Sequence, residues 1–161
     1  MMTMSDRKVK VVNMSNATVT LSFKNSNFKR TLRGEGANIE IPFSTLYDGL
    51  SEPGVEIMIT QGYIAIPDKQ DRIDLGLEHE EDEQDLSTIT MSSKEMLELL
   101  KEGNPINIKA SLEKLSKPQQ KKMAEVAIQN GIYSPGIAAI IKKFTNIDLA
   151  AAIADEEEIS E

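Results

Sequence analysis

The sequence contains no cysteine and only one histidine. Without cysteine the chain can form neither disulfides nor cysteine-ligated zinc sites, and it has no thiol nucleophile, which favours a reducing compartment. No run of about 18 apolar residues occurs, so we expect no membrane contact, and residues 1–6 lack an apolar core of signal-peptide length. These absences predict a protein that is located in the cytoplasm during synthesis.

The net charge of −8 is not spread evenly along the chain. Residues 78–85 carry six carboxylates and residues 155–161 carry five, whereas residues 86–150 carry nine lysines against six carboxylates, a net charge of +3. Such acidic segments cannot bury enough apolar area to offset their ordering entropy, so we predict a solvated linker and a solvated tail. His79 lies in the first segment, and without a second imidazole we interpret it as a solvated side chain.

Before the acidic run, apolar and polar residues alternate with a period of two, which predicts strands with one face in a core. The alternating runs cover residues 9–11, 17–23, 28–33, 39–41, 55–59 and 63–66. Turn-forming Asn, Ser and Gly residues separate them and favour an antiparallel meander. Residues 43–50 after Pro42 predict one short helix. Ile73, Leu75 and Leu77 predict a final edge strand.

After the acidic run, apolar residues recur every three or four positions, which predicts four to five short helices. Ser92 with Glu95 fits a reciprocal capping box, and Gly103 is a stop signal. Ser116 with Gln119 three residues later predicts another helix start.

The sequence therefore predicts an α+β protein. Residues 7–77 form a small antiparallel β barrel or sandwich with one short helix, and residues 78–91 form the acidic linker. Residues 92–154 form a bundle of four to five short helices, and residues 155–161 form the acidic tail.

No constellation of residues indicates catalysis. Carboxylates are not paired at a predicted buried strand end, and no Ser or Thr has a basic partner. The segment 34–36 lacks the lysine and the helix of a phosphate-binding loop. We therefore predict a protein without enzymatic activity, catalytic residues, cofactor or bound metal.

Several short motifs suggest a relationship. They are Lys10-Val11-Val12-Asn13, Phe28-Lys29-Arg30, Gly34-Glu35, Ile39-Glu40-Ile41-Pro42, Pro53-Gly54, and residues 140–148 with Ala152-Ile153. Together they resemble small acidic structural or accessory proteins of the virions of tailed bacteriophages with Gram-positive hosts. Asn146 stands where that group has glycine in its closing helix. The resemblance implies a virion structural or assembly component, located in the virion, and it assigns no functional residues.

These observations favour a non-enzymatic protein-binding module. Its expected partners are other protein subunits, either copies of itself in a homo-oligomer or other phage particle proteins. Candidate residues for the partner surface are Ile137, Ile140, Ile141 and Phe144, which the pattern equally allows in a core.

The main alternative is a small nucleic-acid-binding regulator that uses the helical half. Its candidate contacts are Lys121, Lys122, Lys142 and Lys143. The spacing of residues 127–140 fits a helix-turn-helix, although any packed helix pair has similar spacing and the outward positions offer few side chains that read base edges. A basic hairpin at residues 24–33 is a further nucleic-acid candidate, and a host-directed inhibitor is a third class of function.

Overall fold

The computed structural model describes residues 7–81 and 86–160. It confirms the α+β class. The chain divides into two compact units, Met1–Thr90 and Met91–Glu161, which we call the N-terminal unit and the helical unit. All strands of the described part of the chain lie in the N-terminal unit, where they form two small sheets and no closed barrel is seen.

The described residues of the N-terminal unit contain five antiparallel strands. They are β1 (Lys8–Asn13), β2 (Val19–Phe23), β3 (Phe28–Leu32), β4 (Asn38–Pro42) and β5 (Ile64–Ala65). One sheet has the order β4-β1-β5, and the other is the β2-β3 hairpin. The hairpin agrees with the predicted pattern. The prediction of a continuous meander is wrong at β1, because β1 pairs with β4 and β5 and not with β2.

Asn13 explains why β1 does not continue into a hairpin. Its side chain is fully buried, and its Nδ2 donates hydrogen bonds to the carbonyl oxygens of Ala17 (2.7 Å) and Leu32 (3.2 Å). Its Oδ1 accepts a hydrogen bond from the Ser15 amide at 2.9 Å. These bonds hold the turn while the chain passes from one sheet to the other. The turn chemistry was predicted, but its consequence for pairing was not.

Three α-helices accompany these strands in residues 7–81: α1 (Phe43–Gly49), α2 (Pro53–Thr60) and α3 (Lys69–Asp74). The first was predicted, whereas the other two replace predicted strands. In α2, Val55 and Ile59 are buried but Ile57 is 57% exposed, so burial follows a four-residue spacing and not an alternation. In α3, the Asp68 side chain caps the helix by accepting a hydrogen bond from the Asp71 amide. The helix covers Ile73, and the left-handed Gly76 (φ 80°) follows it, so residues 73–77 do not form the predicted edge strand.

The predicted acidic linker begins with a buried residue. Glu78 is 5% exposed, and its Oε2 lies 2.9 Å from the Nε of Arg72, which is itself 2% exposed. The same Oε2 accepts a hydrogen bond from the Leu86 amide at 3.1 Å, where a 3-10 helix (Leu86–Ile89) begins. The prediction of a solvated linker over 78–91 is therefore wrong at residue 78, whereas the 3-10 helix over residues 86–89 contains no buried residue. Residues 79–81 are exposed, and residues 82–85 lie outside the described residues.

The helical unit contains five helices within the described residues. They are α4 (Ser93–Glu102), α5 (Pro105–Lys114), α6 (Lys117–Gln129), α7 (Pro135–Thr145) and α8 (Leu149–Ser160). The capping box of Ser92 and Glu95 is confirmed, as is the left-handed Gly103 that ends α4. Because α8 continues to residue 160, the predicted boundary between helix and acidic tail at residue 155 is wrong.

A close contact at Gly49 gives a first prediction. A Cβ added at this position would lie 2.8 Å from ring atoms of the buried Phe23. We expect Gly49→Ala to lower the free energy of unfolding by about 1–3 kcal/mol, because the core must shift to accept the methyl group. Gly54→Ala is the matched control, since its Cβ meets open space. Urea denaturation tests the pair, and equal stability of the two variants would contradict the packing described for Gly49.

Candidate functional site

The predicted partner surface on α7 lies largely in the core. Ile137 is 5% exposed and Ile141 is fully buried, so neither side chain is presented to a partner of the folded chain. Ile140 and Phe144 are half-buried and pack against the same core. The proposal of a partner surface at Ile137 and Ile141 is therefore wrong, because the apolar face of α7 packs within its own unit.

One of the four candidate lysines is also internal. Lys122 is 4% exposed, and its Nζ donates a hydrogen bond to the Met91 carbonyl oxygen at 2.7 Å. The Met91 amide in turn donates to Oε1 of the buried Gln119 at 3.2 Å. These bonds fasten the segment before α4 to α6. Lys122 therefore supports the fold, and its assignment as a nucleic-acid contact is wrong.

The contrast between Lys122 and its exposed neighbour Lys121 gives a second prediction. Lys122→Met is expected to lower the free energy of unfolding by about 1–3 kcal/mol, because it leaves the Met91 carbonyl oxygen without this donor. Lys121→Met is expected to change it by less than about 0.5 kcal/mol. Thermal denaturation compares the two variants. A Lys122→Met protein as stable as the wild type would show that the bond to Met91 contributes nothing.

The remaining three candidate lysines lie together, joined by Lys117, which was not predicted. They line a cleft of about 540 Å³ between the start of α6 and the end of α7. We call this the lysine cleft. Its lining residues are Lys117, Gln120, Lys121, Lys142, Lys143, Phe144, Thr145, Asn146 and Ile147.

Local signals in the sequence place the first half of this cleft. Ser116 is the N-cap of α6, and its side chain accepts a hydrogen bond from the Gln119 amide at 3.4 Å. With the helix start fixed there, Lys117 and Lys121 are one turn apart on the same face. Gln120 lies beside them, three residues after Lys117.

The second half of the cleft is the end of α7. Asn146 ends the helix in the left-handed conformation (φ 62°), and its amide donates to the Lys142 carbonyl oxygen at 2.8 Å. The Thr145 hydroxyl donates to the Ile141 carbonyl oxygen at 2.7 Å and accepts from the Ile147 amide at 3.2 Å. These bonds fix the backbone of residues 145–147, which line the cleft directly after α7.

The lysine cleft has a strongly cationic lining. Lys117, Lys121, Lys142 and Lys143 are all exposed. Lys142 and Lys143 occupy the last turn of α7, where the helix dipole favours positive charge. The Nζ of Lys142 lies 3.9 Å from Asp148 Oδ2, but both side chains are more than half exposed, so this pair contributes little. An anion that enters the cleft can therefore take the place of the Asp148 carboxylate beside the Lys142 ammonium group.

Gln120 is the buried polar residue of the cleft lining. It is 6% exposed, and its Nε2 donates hydrogen bonds to the carbonyl oxygens of Leu112 (2.8 Å) and Leu115 (3.3 Å) at the end of α5. No described residue donates a hydrogen bond to its buried Oε1. The cleft lining thus combines exposed cations, the half-buried aromatic ring of Phe144 and the buried Gln120 side chain, whose covered Oε1 has no donor.

Sequence reasoning missed Lys117 and Gln120. The i, i+4 spacing of Lys117 and Lys121 was a usable signal, because it places both on one face of a helix whose start was already predicted. Burial of Gln120 had no such signal, since a polar residue in a first helical turn is usually exposed.

The basic hairpin of the N-terminal unit offers a weaker arrangement. Phe23 is 1% exposed and lies in the core, as the alternation predicted, and the half-buried Phe28 stacks on it with a ring-centroid distance of 5.1 Å. The Arg30 guanidinium lies 5.3 Å from the Phe28 ring centroid. Both aromatic rings are therefore engaged within the protein.

Acidic groups form an ion-pair cluster elsewhere in this unit. Burial raises the pKa of the Asp71 carboxyl above its usual value, while the Arg7 guanidinium 2.9 Å away opposes the shift. Arg7 also pairs with Asp74 and lies over the Phe43 ring.

Among the side chains that the structure describes, no three His, Asp or Glu residues are grouped to hold a metal ion. Over the same residues, no helix is long and apolar enough to cross a membrane.

Comparison with known proteins gives a negative result. The chain matches no protein-family model, and no curated protein or solved structure is significantly similar to it. Function is therefore inferred from the chemistry of the lysine cleft.

Proposed function

We propose that this is a non-enzymatic nucleic-acid-binding protein, and that the helical unit holds the phosphates of its ligand in the lysine cleft. One observation carries the proposal: four exposed lysines from two helices line a single cleft. The proposed phosphate contacts are Lys121, Lys142 and Lys143, which were predicted, and Lys117, which was not. Lys122 is excluded because it is buried.

The chemistry of the lining suits phosphate groups. Lysine ammonium groups bind phosphate as mobile point charges, and the release of counterions from the nucleic acid drives such binding. A volume of about 540 Å³ lies within the range of ligand-binding pockets. Net charge alone does not select the helical unit, because residues 91–161 carry nine lysines and eleven carboxylates. The choice of this unit depends on the four exposed lysines that line one cleft.

The salt dependence of binding tests this proposal. Four phosphates neutralised on a single strand give a slope of about −2.8 for log affinity against log salt concentration, or about a 50-fold loss between roughly 50 and 200 mM salt. Fluorescence anisotropy of a labelled 20-nucleotide strand measures this slope with the full-length chain. Absence of binding at the lowest salt concentration would overturn the proposal.

A second candidate function is protein binding in a phage particle. Large apolar side chains are exposed on the N-terminal unit, namely Tyr47 (56%), Ile57 (57%) and Tyr63 (39%), and on the helical unit, namely Ile106 (78%) and Tyr133 (53%). Partner subunits would bury them. Self-association is the testable part of this candidate. Light scattering after size exclusion at micromolar concentration measures the mass of the particle in solution. A discrete oligomer mass would support self-association, and a monomer mass of 17.8 kDa would contradict it.

A further inference from the structure

We infer that the lysine cleft accepts one unpaired nucleobase with an exocyclic amino group, in addition to the phosphates. The ligand class is then single-stranded nucleic acid. This inference rests on the proposed function and deepens it, since phosphate binding alone requires only the lysines. It depends on Gln120 and Phe144, which carry no positive charge and yet line the same cleft.

The orientation of the Gln120 amide is fixed by its surroundings. Its Nε2 donates to two backbone carbonyl oxygens, those of Leu112 and Leu115. Rotating the amide by 180° would place Oε1 against both oxygens and lose both hydrogen bonds. The amide therefore keeps its oxygen as the acceptor that remains for another group.

The Gln120 Oε1 lacks a donor although the residue is only 6% exposed. A buried acceptor without a partner is costly, and a ligand that supplies an N–H group recovers this cost. Phosphate groups carry no N–H donor, and the lysines satisfy them separately. The exocyclic amine of adenine, cytosine or guanine is a donor of the required kind.

Phe144 supplies the second feature of a base site. Its ring is half-buried and lines the cleft, and a nucleobase that stacks on an aromatic ring is a common mode of single-strand recognition. The lysines that flank Gln120 on α6 have long flexible stems, so they can rearrange around an entering base while holding the adjacent phosphates.

The exposed face of α7 argues against duplex recognition by this helix. Its exposed positions include Gly136, Ala139, Lys142 and Lys143. Glycine and alanine cannot form hydrogen bonds to base edges in a major groove, and the lysines suit phosphates. This helix therefore offers no side chain that reads a paired base, whereas an unpaired strand can place a base directly in the cleft.

A comparison of ligands tests the inference without altering the fold. The four probes are labelled 12-nucleotide strands of deoxyadenosine, of deoxynebularine (a purine without the 6-amino group), of abasic sugar-phosphate, and a 12-base-pair duplex. We expect the deoxyadenosine strand to bind about tenfold more tightly than the deoxynebularine strand, which stacks equally but cannot donate to Gln120. The abasic strand and the duplex are expected to bind more weakly than the deoxynebularine strand.

The outcomes separate the inference from the proposed function. Equal affinity for all four probes would overturn base recognition while leaving phosphate binding in place. Equal affinity for the deoxyadenosine and deoxynebularine strands, with weaker binding of the abasic strand and the duplex, would overturn the role of Gln120. No binding of any probe would overturn the proposed function as well.

A protein variant tests the stacking surface. Phe144→Leu keeps an apolar side chain at the core but removes the aromatic face, so single-strand affinity should fall about tenfold while affinity for the duplex is unchanged. Phe28→Leu in the N-terminal hairpin is the matched control and should leave both affinities unchanged. A loss of single-strand affinity in Phe28→Leu, but not in Phe144→Leu, would place the base site on the hairpin and overturn the inference.

Discussion

Replacing Lys117, Lys121, Lys142 and Lys143 together by glutamate is expected to lower the affinity for single-stranded nucleic acid at least about 50-fold at low salt, because the phosphate contacts supply most of non-specific binding. The salt dependence of the residual affinity should also disappear. Anisotropy titrations at several salt concentrations measure both effects. All four side chains are exposed, so the fold should tolerate the replacements.

The helical unit offers a control with the same change in net charge. Lys94, Lys101, Lys109 and Lys114 are also exposed, but they do not line the lysine cleft. Their joint replacement by glutamate should lower the affinity only through long-range repulsion, which is screened at physiological salt. Equal losses in the two fourfold variants at about 150 mM salt would show that net charge, and not the cleft, determines binding.

Arg72→Met is expected to have the largest effect on stability, lowering the free energy of unfolding of the N-terminal unit by about 3–5 kcal/mol. Arg72 and Glu78 are 2% and 5% exposed, and their side chains are 2.9 Å apart. Arg72 also donates through Nη1 to the carbonyl oxygens of Ile66 and Pro67. The variant therefore leaves a buried carboxylate without its counter-ion and two carbonyl oxygens without this donor.

A double variant separates the buried charge from simple loss of packing. Arg72→Met with Glu78→Leu removes both charges, so it should recover part of the lost stability. Urea denaturation, followed at resolved amide signals of the β1–β4 pair, reports on this unit. A loss below about 1 kcal/mol in Arg72→Met would contradict a buried ion pair, since this is the range of exposed pairs.

Local signals predicted the helical unit better than the N-terminal unit. Caps such as Ser92 and Ser116 act within one turn of the chain, so sequence alone locates the helix starts they produce. The segment 55–59 illustrates the opposite case, because an apolar residue at every second position also provides the four-residue spacing of a helix. Packing settles this choice by burying Val55 and Ile59 and exposing Ile57.

Long-range partners account for the other errors. The pairing of β1 with β4 joins strands that are separated by a hairpin, and the buried contacts of Asn13 that accompany it reach as far as Leu32. Glu78 stands in an acidic run and is indistinguishable from its solvated neighbours until Arg72 is seen beside it. Charge patterns identify a segment, but the burial of one of its members depends on contacts that sequence spacing does not encode.

The candidate site was predictable in charge but not in composition. The surplus of lysine indicated the helical half, and three of the four candidate lysines meet on the cleft. Lys122 was indistinguishable from Lys121 in the sequence, because its partner Met91 lies 31 positions away. Gln120 was missed for the same reason, since its orientation depends on carbonyl oxygens of the preceding helix.

Mapping the bound strand onto the protein by NMR is the most direct test of the lysine cleft. A ¹⁵N-labelled full-length chain is titrated with an unlabelled 12-nucleotide deoxyadenosine strand, and shifts of the backbone amide signals are followed. The account predicts that the largest shifts occur at residues 117–121 and 142–147, along with the Gln120 side-chain amide. Shifts confined to the hairpin at residues 24–33, or no shifts at low salt, would contradict it.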